Sequence, residues 1–329
     1  MVFKDSLQRK VDYLRLSITD RCNLRCRYCM PVEGVEFKPH EEILRYEEYA
    51  RIVRTGTELG ITKVRITGGE PLVRSGVVDL VAMLNGIEGL EEISMTTNGI
   101  LLAGYARTLK EAGLARVNIS LDTLQRDKYK QITRRDKLPE VWEGIEAALA
   151  AGLRPVKINA VIIKGFNDDE ILPLAELAST NPLHVRFIEY MPLGAEPEAQ
   201  RDKYISGERI RKLIEEAYQL ETYQVKGNGP ASQHRIVGGQ GSIGFINPIS
   251  HGFCQACNRL RLTADGRLRP CLASNIEVNL QENGQLVDDG ELQAKFRRAL
   301  FLKPGQHNFA DSTRNDERPE DRKMFQIGG

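Results

Sequence analysis

The run Tyr13-Leu14-Arg15-Leu16-Ser17-Ile18-Thr19-Asp20-Arg21-Cys22-Asn23-Leu24-Arg25-Cys26-Arg27-Tyr28-Cys29 joins a strand pattern, Tyr13–Ile18, directly to three cysteines in a C-x3-C-x2-C loop. Three thiolates on one loop can take three irons of a [4Fe–4S] cube and leave the fourth iron open to another ligand. Zinc held by three cysteines and a histidine is also compatible with the loop, and His40 is the nearest histidine.

Working outward, apolar β-branched runs alternate with helical patterns. Strands are expected at Lys63–Thr67, Glu92–Thr96, Arg116–Leu121, Pro155–Ile163 and Val185–Tyr190. Between them the spacing predicts helices over Tyr46–Leu59, Val77–Leu84, Gly104–Ala112, Leu138–Ala151 and Glu170–Ser179. Gly60, Gly113 and Gly152 each fall just past a helix, where a left-handed stop is wanted. Six strands alternating with helices imply βαβ units, a parallel sheet and right-handed crossovers. An open six-unit βα barrel and a doubly wound sheet both satisfy this pattern. In either architecture the strand C-termini build the site. Those ends carry Thr67-Gly68-Gly69-Glu70-Pro71, Thr96-Thr97-Asn98-Gly99 and Asn118-Ile119-Ser120-Leu121-Asp122.

The 329 residues include 46 Lys+Arg against 45 Asp+Glu, a net charge of +1, which gives no support to a general binder of nucleic acid or anionic membrane. No stretch is apolar enough to span a bilayer, and the first residues lack the apolar segment of an export signal. A cytoplasmic location is expected. The six cysteines form two groups of three, Cys22, Cys26, Cys29 and Cys254, Cys257, Cys271, with none between. Clustered thiols in such a chain read as metal or redox sites before disulfides.

From about Lys226 the texture changes to short apolar runs broken by Gly227, Gly229, Gly238, Gly239, Gly241 and Gly244. His234–Val237 and Ser242–Ile246 look like a hairpin. We expect a first unit over residues 1–225 and a smaller one over 226–329, packed across the barrel mouth. The charged tail from Ala310 ends in Gly328-Gly329, and its composition favours disorder and order equally. The second triplet has the form C-x2-C-x13-C, again with no obvious fourth ligand. Zinc and iron–sulfur stand level there, with His251 close by. Arg259 and Arg261 lie between the cysteines, two apart on a predicted strand, and so share one face. They suit either a solvated surface or an anion gripped bidentately.

The first loop, with Tyr28 before its third cysteine, resembles that of the radical S-adenosylmethionine (SAM) superfamily, and Gly68-Gly69-Glu70-Pro71 resembles its second motif. Together with Arg186-Phe187-Ile188-Glu189-Tyr190-Met191, Cys257-Asn258-Arg259-Leu260-Arg261-Leu262 and the paired glycines at the end, nearly the whole chain resembles the GTP 3′,8-cyclase family of molybdenum cofactor biosynthesis.

That resemblance implies a lyase built on a partial, open, six-stranded βα barrel. Two [4Fe–4S] clusters and SAM would be its cofactors. A 5′-deoxyadenosyl radical would take the C3′ hydrogen of GTP, C3′ would bond to guanine C8, and the product would be 3′,8-cyclo-7,8-dihydro-GTP. Cys22, Cys26 and Cys29 would hold the catalytic cluster. Tyr28, Gly69, Glu70, Ser120 and Met191 would contact SAM, with the glycines admitting its methionine part and Glu70 accepting from its ammonium. Cys254, Cys257 and Cys271 would hold the second cluster, whose open iron binds the guanine edge. Arg15, Arg65, Thr96, Lys157, Arg259 and Arg261 would contact GTP. The resemblance also implies an external low-potential electron donor and a downstream cyclic pyranopterin monophosphate synthase. It leaves a homodimer open, and it places the glycine tail in the active site near Arg15.

The residues themselves support one part of this directly. Lys157 and Arg65 sit inside otherwise apolar strands, and a buried lysine or arginine with no anion beside it is costly. A structural ion pair is the other way to satisfy each. A different radical SAM enzyme with an auxiliary cluster, or a zinc-stabilised binding protein, would carry differently spaced cysteines or colourless metal.

Overall fold

The computed structural model describes residues 3–31, 33–191, 202–223, 229–307 and 322–328. The expected boundary at 225/226, Gly227 and Gly329 lie outside these described residues. Six strands lie side by side in chain order: β1 (Tyr13–Ser17), β2 (Lys63–Thr67), β3 (Glu92–Thr97), β4 (Arg116–Ser120), β5 (Val156–Ile162) and β6 (Leu183–Glu189). Every adjacent pair is parallel. A doubly wound sheet would reverse its strand order partway. No reversal occurs, so right-handed crossovers keep the connecting helices on one side and leave the other side concave. The open barrel is the architecture.

The helices are α1 (Tyr46–Leu59), α2 (Val77–Asn85), α3 (Leu102–Glu111), α4 (Arg126–Thr133), α5 (Leu138–Ala150), α6 (Ile171–Thr180), α7 (Gly207–Ala217) and α8 (Asp289–Phe301). α1 shows why the pattern is readable. Tyr49, Ile52, Val53, Gly56 and Leu59 recur on one buried face, Glu48 accepts from the Arg45 amide, and Gly60 ends the helix at φ 113°. Gly113 and Gly152 also have positive φ, as their position after a helix predicts. Three helices were not anticipated. α4 is short and charged, and buries only Tyr129, Ile132 and Thr133. α7 and α8 do carry readable starts, since Ser206 caps the Arg209 amide and Asp288 caps the Glu291 amide.

Strand periodicity sorts the barrel residues into two layers. Leu14, Leu16, Val64, Ile66, Ile93, Met95, Val117, Ile119, Val156 and Ile158 are buried in the apolar core with the helices. The alternate residues, among them Arg15, Arg65, Thr96, Ser120, Lys157, Asn159 and Arg186, face the concave interior. The strands are therefore apolar outside and polar inside.

The predicted hairpin is present as β8 (Ser232–Ile236) and β9 (Ser242–Ile246), with Ser232 opposite Phe245 and His234 opposite Ile243. Together with β7 (Leu220–Thr222), β10 (Arg259–Leu262), β11 (Arg267–Arg269) and β12 (Val278–Asn279), these strands extend the barrel sheet itself at both edges. β9 adds in parallel to β6, and β10 adds in parallel to β1. The C-terminal segment thus supplies both flanks of the barrel opening. Within the tail, residues 322–328 are ordered against the protein: Phe325 and Ile327 are buried, and Arg322 makes a two-pronged pair with Asp265 at 2.9 Å on each side. Residues 310–321 and 329 of the expected tail lie outside the described residues. Among the described residues no helix is long and apolar enough to cross a membrane.

Candidate active site

A cavity of about 350 Å³ occupies the concave face of the sheet, within the range of small-molecule sites. All six cysteines line it, the first triplet on the loop after β1 and the second around β10 and β11, and none is in a disulfide.

The cysteine loop is fixed by its neighbours. Cys29 and Met30 donate backbone hydrogen bonds to the Cys26 carbonyl, forming a tight turn. The Arg25 and Arg27 amides donate to the Thr133 and Ile132 carbonyls at the end of α4, and the Arg134 guanidinium donates to the Arg25 and Met30 carbonyls. The Gly68-Gly69 backbone lies directly under the loop. A Cβ at Gly69 would sit 2.3 Å from the Arg21 carbonyl, and one at Gly68 would sit 2.7 Å from that of Thr19. These glycines admit the backbone of the cysteine loop. A Gly69→Ala change must therefore push the loop away. We expect a loss of about 2 kcal/mol or more in stability together with loss of iron from the first triplet, checked by thermal melting and iron analysis.

Glu70, 1% exposed, accepts from the Leu72 amide at 3.0 Å, the Thr97 hydroxyl at 2.7 Å and the Asn98 amide at 2.7 Å. It ties the turn after β2 to the end of β3, with little acceptor capacity left over. Burial pushes its carboxyl up to about 7 despite these donors. Tyr28 donates to Asp122 at 2.7 Å and meets Tyr190 edge-on, so the aromatic before Cys29 has a fixed ring plane. Ser120 and Met191 line the same cavity.

The first triplet fits a polynuclear cation. Burial pushes the thiols up, Cys22 to about 11 and Cys29 to about 12, and Cys26 is raised by burial and then by its two cysteine neighbours. As thiolates, the three would repel one another in a desolvated pocket unless positive charge arrived with them. Among the described residues no three His, Cys, Asp or Glu side chains gather tightly enough to hold a single ion. Thiolates that each take a different iron of a cube need no such convergence. His40 and His251 are both exposed and outside the cavity; the histidine that does line it is His307.

The second triplet is braced by residues far away in sequence. Arg9, paired with Asp5 at 2.6 Å, donates to the Cys254 carbonyl at 2.7 Å. Lys303, buried just past α8, donates to the Cys257 sulfur at 3.4 Å and to the Arg259 and Pro270 carbonyls. Burial would raise the Cys257 thiol, but Lys303 and Arg259 outweigh it and bring it down to about 7. Lys303→Met removes the sulfur's charged donor. We expect weaker iron retention at the second triplet and an unchanged first triplet, read as iron per chain after gel filtration.

Strand register assembles the cations. Arg15 on β1 is the direct neighbour of Arg65 on β2 and of Arg261 on β10, making a row of three guanidiniums across adjacent strands. Burial and then mutual repulsion depress Arg15, and burial depresses Arg65. Arg261 is lowered to about 10 by burial and then by Arg259. It donates to the Gly328 carbonyl at 2.6 Å and to that of Ile327 at 3.3 Å. Gly328 passes so close to β2 that a Cβ would be 2.5 Å from Thr67 Cγ2. The tail therefore enters the cavity, as the resemblance implied, with Arg261 as the described contact. Lys157, 2% exposed, has no carboxylate within ion-pair distance among the described residues, and burial followed by Arg186 and Arg116 lowers it to about 6. Lys63, Arg116 and Arg186 also face the cavity and were not singled out. The parity that paired Lys157 with Asn159 would have found them if applied to every strand.

Polar atoms without partners point to a polar ligand. Thr96 Oγ1, both side-chain heteroatoms of Asn118, Asn159 Oδ1, and Arg116 Nε and Nη1 are buried without a hydrogen bond. Buried polar groups are normally paired, and four of these six atoms, on Thr96, Asn159 and Arg116, belong to residues that line the cation-rich cavity.

A parallel open barrel with three thiols on the loop after its first strand is the form of a radical SAM protein, and a Radical SAM superfamily model matches residues 16–178. A Molybdenum Cofactor Synthesis C model matches residues 183–309. GTP 3′,8-cyclase of Moorella thermoacetica is 55% identical over 99% of this chain and 100% of its own length; that of Petrotoga mobilis is 54% identical over 99% of each. The chain belongs to the GTP 3′,8-cyclase family. In fold it also matches Streptococcus suis SuiB bound to S-adenosylmethionine, with a TM-score of 0.55, 16% identity, and coverage of 87% of this chain and 68% of that one.

Proposed function

We propose that the protein converts GTP to 3′,8-cyclo-7,8-dihydro-GTP, the opening step of molybdenum cofactor biosynthesis. The observation that carries this is the placement of both thiol triplets and a set of inward-facing cations on one cavity. When bound, the first cluster and SAM would supply the hydrogen-atom abstraction chemistry needed at C3′ of GTP.

The protein's own groups hold, orient and exclude. Cys22, Cys26 and Cys29 would hold the catalytic cluster, and Cys254, Cys257 and Cys271 would hold the second one, which would bind guanine. Tyr28, fixed by Asp122, and Ser120, Gly69, Glu70 and Met191 shape the SAM side. Arg15, Arg65, Arg259 and Arg261 bind triphosphate oxygens with charge-assisted hydrogen bonds, with Thr96 and Lys157 beside them. Lys157 Nζ takes up a proton as the phosphates arrive, because an adjacent anion favours its charged form. Met324 and Phe325 on the inserted tail cover part of the cavity and keep water from a reactive radical. Residues 1–225 supply the SAM side and part of the GTP site, and 226–329 supply the second triplet, Arg259 and Arg261. The cytoplasm is the setting. A cyclic pyranopterin monophosphate synthase consumes the product.

The test is anaerobic incubation of the iron-reconstituted protein with GTP, SAM and dithionite. 5′-Deoxyadenosine should form as GTP disappears. Intact GTP with no 5′-deoxyadenosine overturns the proposal.

A further inference from the structure

Many surface cations are matched to acids. Arg107 pairs with Glu111, Arg126 with Asp136, Lys128 with Asp169, Lys137 with Glu140, and Arg211 with Glu215. The rim of the first cysteine loop is different. Arg21, Arg25 and Arg27 come from the loop, and Lys130, Arg134 and Arg135 from α4 and the turn after it. The backbone bonds from Arg25 to Thr133 and from Arg27 to Ile132 bring the two groups together. Among the described residues none of the six has a carboxylate within ion-pair distance. Arg21, Arg27, Lys130 and Arg135 are exposed.

Two further observations give this excess a direction. Arg21 and Arg25 lie over the Phe37 ring at 6.0 and 5.6 Å, so the cations are set against an aromatic surface. Arg27 is also the residue between Cys26 and Tyr28. A protein docked on this rim therefore lies next to a cysteine of the first triplet.

We propose that this rim is the docking surface for a small acidic electron-carrier protein that reduces the first cluster. The inference rests on the function proposed above, which requires one electron at the first cluster for each SAM cleaved, besides the electron and proton that reduce the nucleotide radical left once C3′ has bonded to C8. The carrier is oxidised by one electron and the cluster reduced by one; no bond is made or broken at the interface. In a chain of net charge +1, a local cationic face is what draws such a carrier. Opposite charge accelerates encounter and makes it sensitive to salt.

The test uses reduced flavodoxin as the probe and the reconstituted full chain carrying Lys130→Glu and Arg135→Glu, neither of which lines the cavity. With flavodoxin, 5′-deoxyadenosine formation should fall about tenfold or more at low salt, and the wild-type rate should drop as salt is raised. With dithionite, the variant should match wild type. The Lys130→Arg, Arg135→Lys variant should keep the flavodoxin rate. An unchanged flavodoxin rate in the charge-reversed protein overturns the docking surface, and so does an equal loss with both reductants. A wild-type protein inert to dithionite overturns the function itself, which separates the two failures.

Discussion

Cys26→Ala protein should form no detectable 5′-deoxyadenosine while keeping its affinity for GTP. Cys26 is the middle ligand of the loop, and its carbonyl accepts from both Cys29 and Met30. Alanine keeps those backbone bonds, so the turn survives and only the thiolate is lost. A cube missing one of three protein ligands is not retained in a form that SAM can use. Iron should fall from about eight to about four per chain, since the second triplet is intact. The cation row that holds triphosphate lies on β1, β2 and β10, away from Cys26. Iron analysis, SAM cleavage and GTP titration on the same sample separate these effects.

The second large effect has two signs. Lys157→Met should weaken GTP binding by about 2–4 kcal/mol, the cost of removing one partner of a buried charge pair, which is roughly 30- to 900-fold in Kd. The same change should stabilise the GTP-free protein, because it removes a buried amine that has no described carboxylate partner. Lys157 is lowered from 10.5 to about 6 in the folded protein. Between those values the unfolded chain binds more protons than the folded one, so folded-state stability rises with pH across that window. Below about 6 both states are protonated and the contribution is at its minimum. Methionine should flatten this slope. In the wild type, GTP binding near neutral pH should take up a proton at Nζ, which calorimetry in buffers of different ionisation heat detects. A pH slope unchanged by the substitution would count against the buried amine as its source.

The sequence revealed this site best where chemistry is local. Three cysteines in eight residues, a Gly-Gly-Glu-Pro turn and inward parity at Lys157 and Asn159 are all visible without coordinates. It was silent where the explanation lies across the sheet. Strand order, which chose the open barrel over the doubly wound alternative, depends on pairings between strands that periodicity does not encode. The Arg261–Arg15–Arg65 row exists only because β10, some two hundred residues downstream of β2, pairs with β1. Arg9 and Lys303 brace the second triplet from opposite ends of the chain, and neither stands in a motif. Gly68 and Gly69 are visible as a turn, but that their missing side chains make room for the cysteine loop is visible only in three dimensions. The tail shows a related limit. Its composition leaves order and disorder level, yet Arg322 has a two-pronged anchor on Asp265, which that pairing holds down to about 2 against the upward push of burial.

The central claim is that the cavity places the ribose C3′ of GTP where the hydrogen is taken. GTP deuterated at C3′, incubated anaerobically with SAM, reductant and the reconstituted protein, tests this directly by mass spectrometry of the 5′-deoxyadenosine. The account predicts one deuterium transferred into 5′-deoxyadenosine. Unlabelled 5′-deoxyadenosine, formed while the deuterium stays on the nucleotide product, would contradict it.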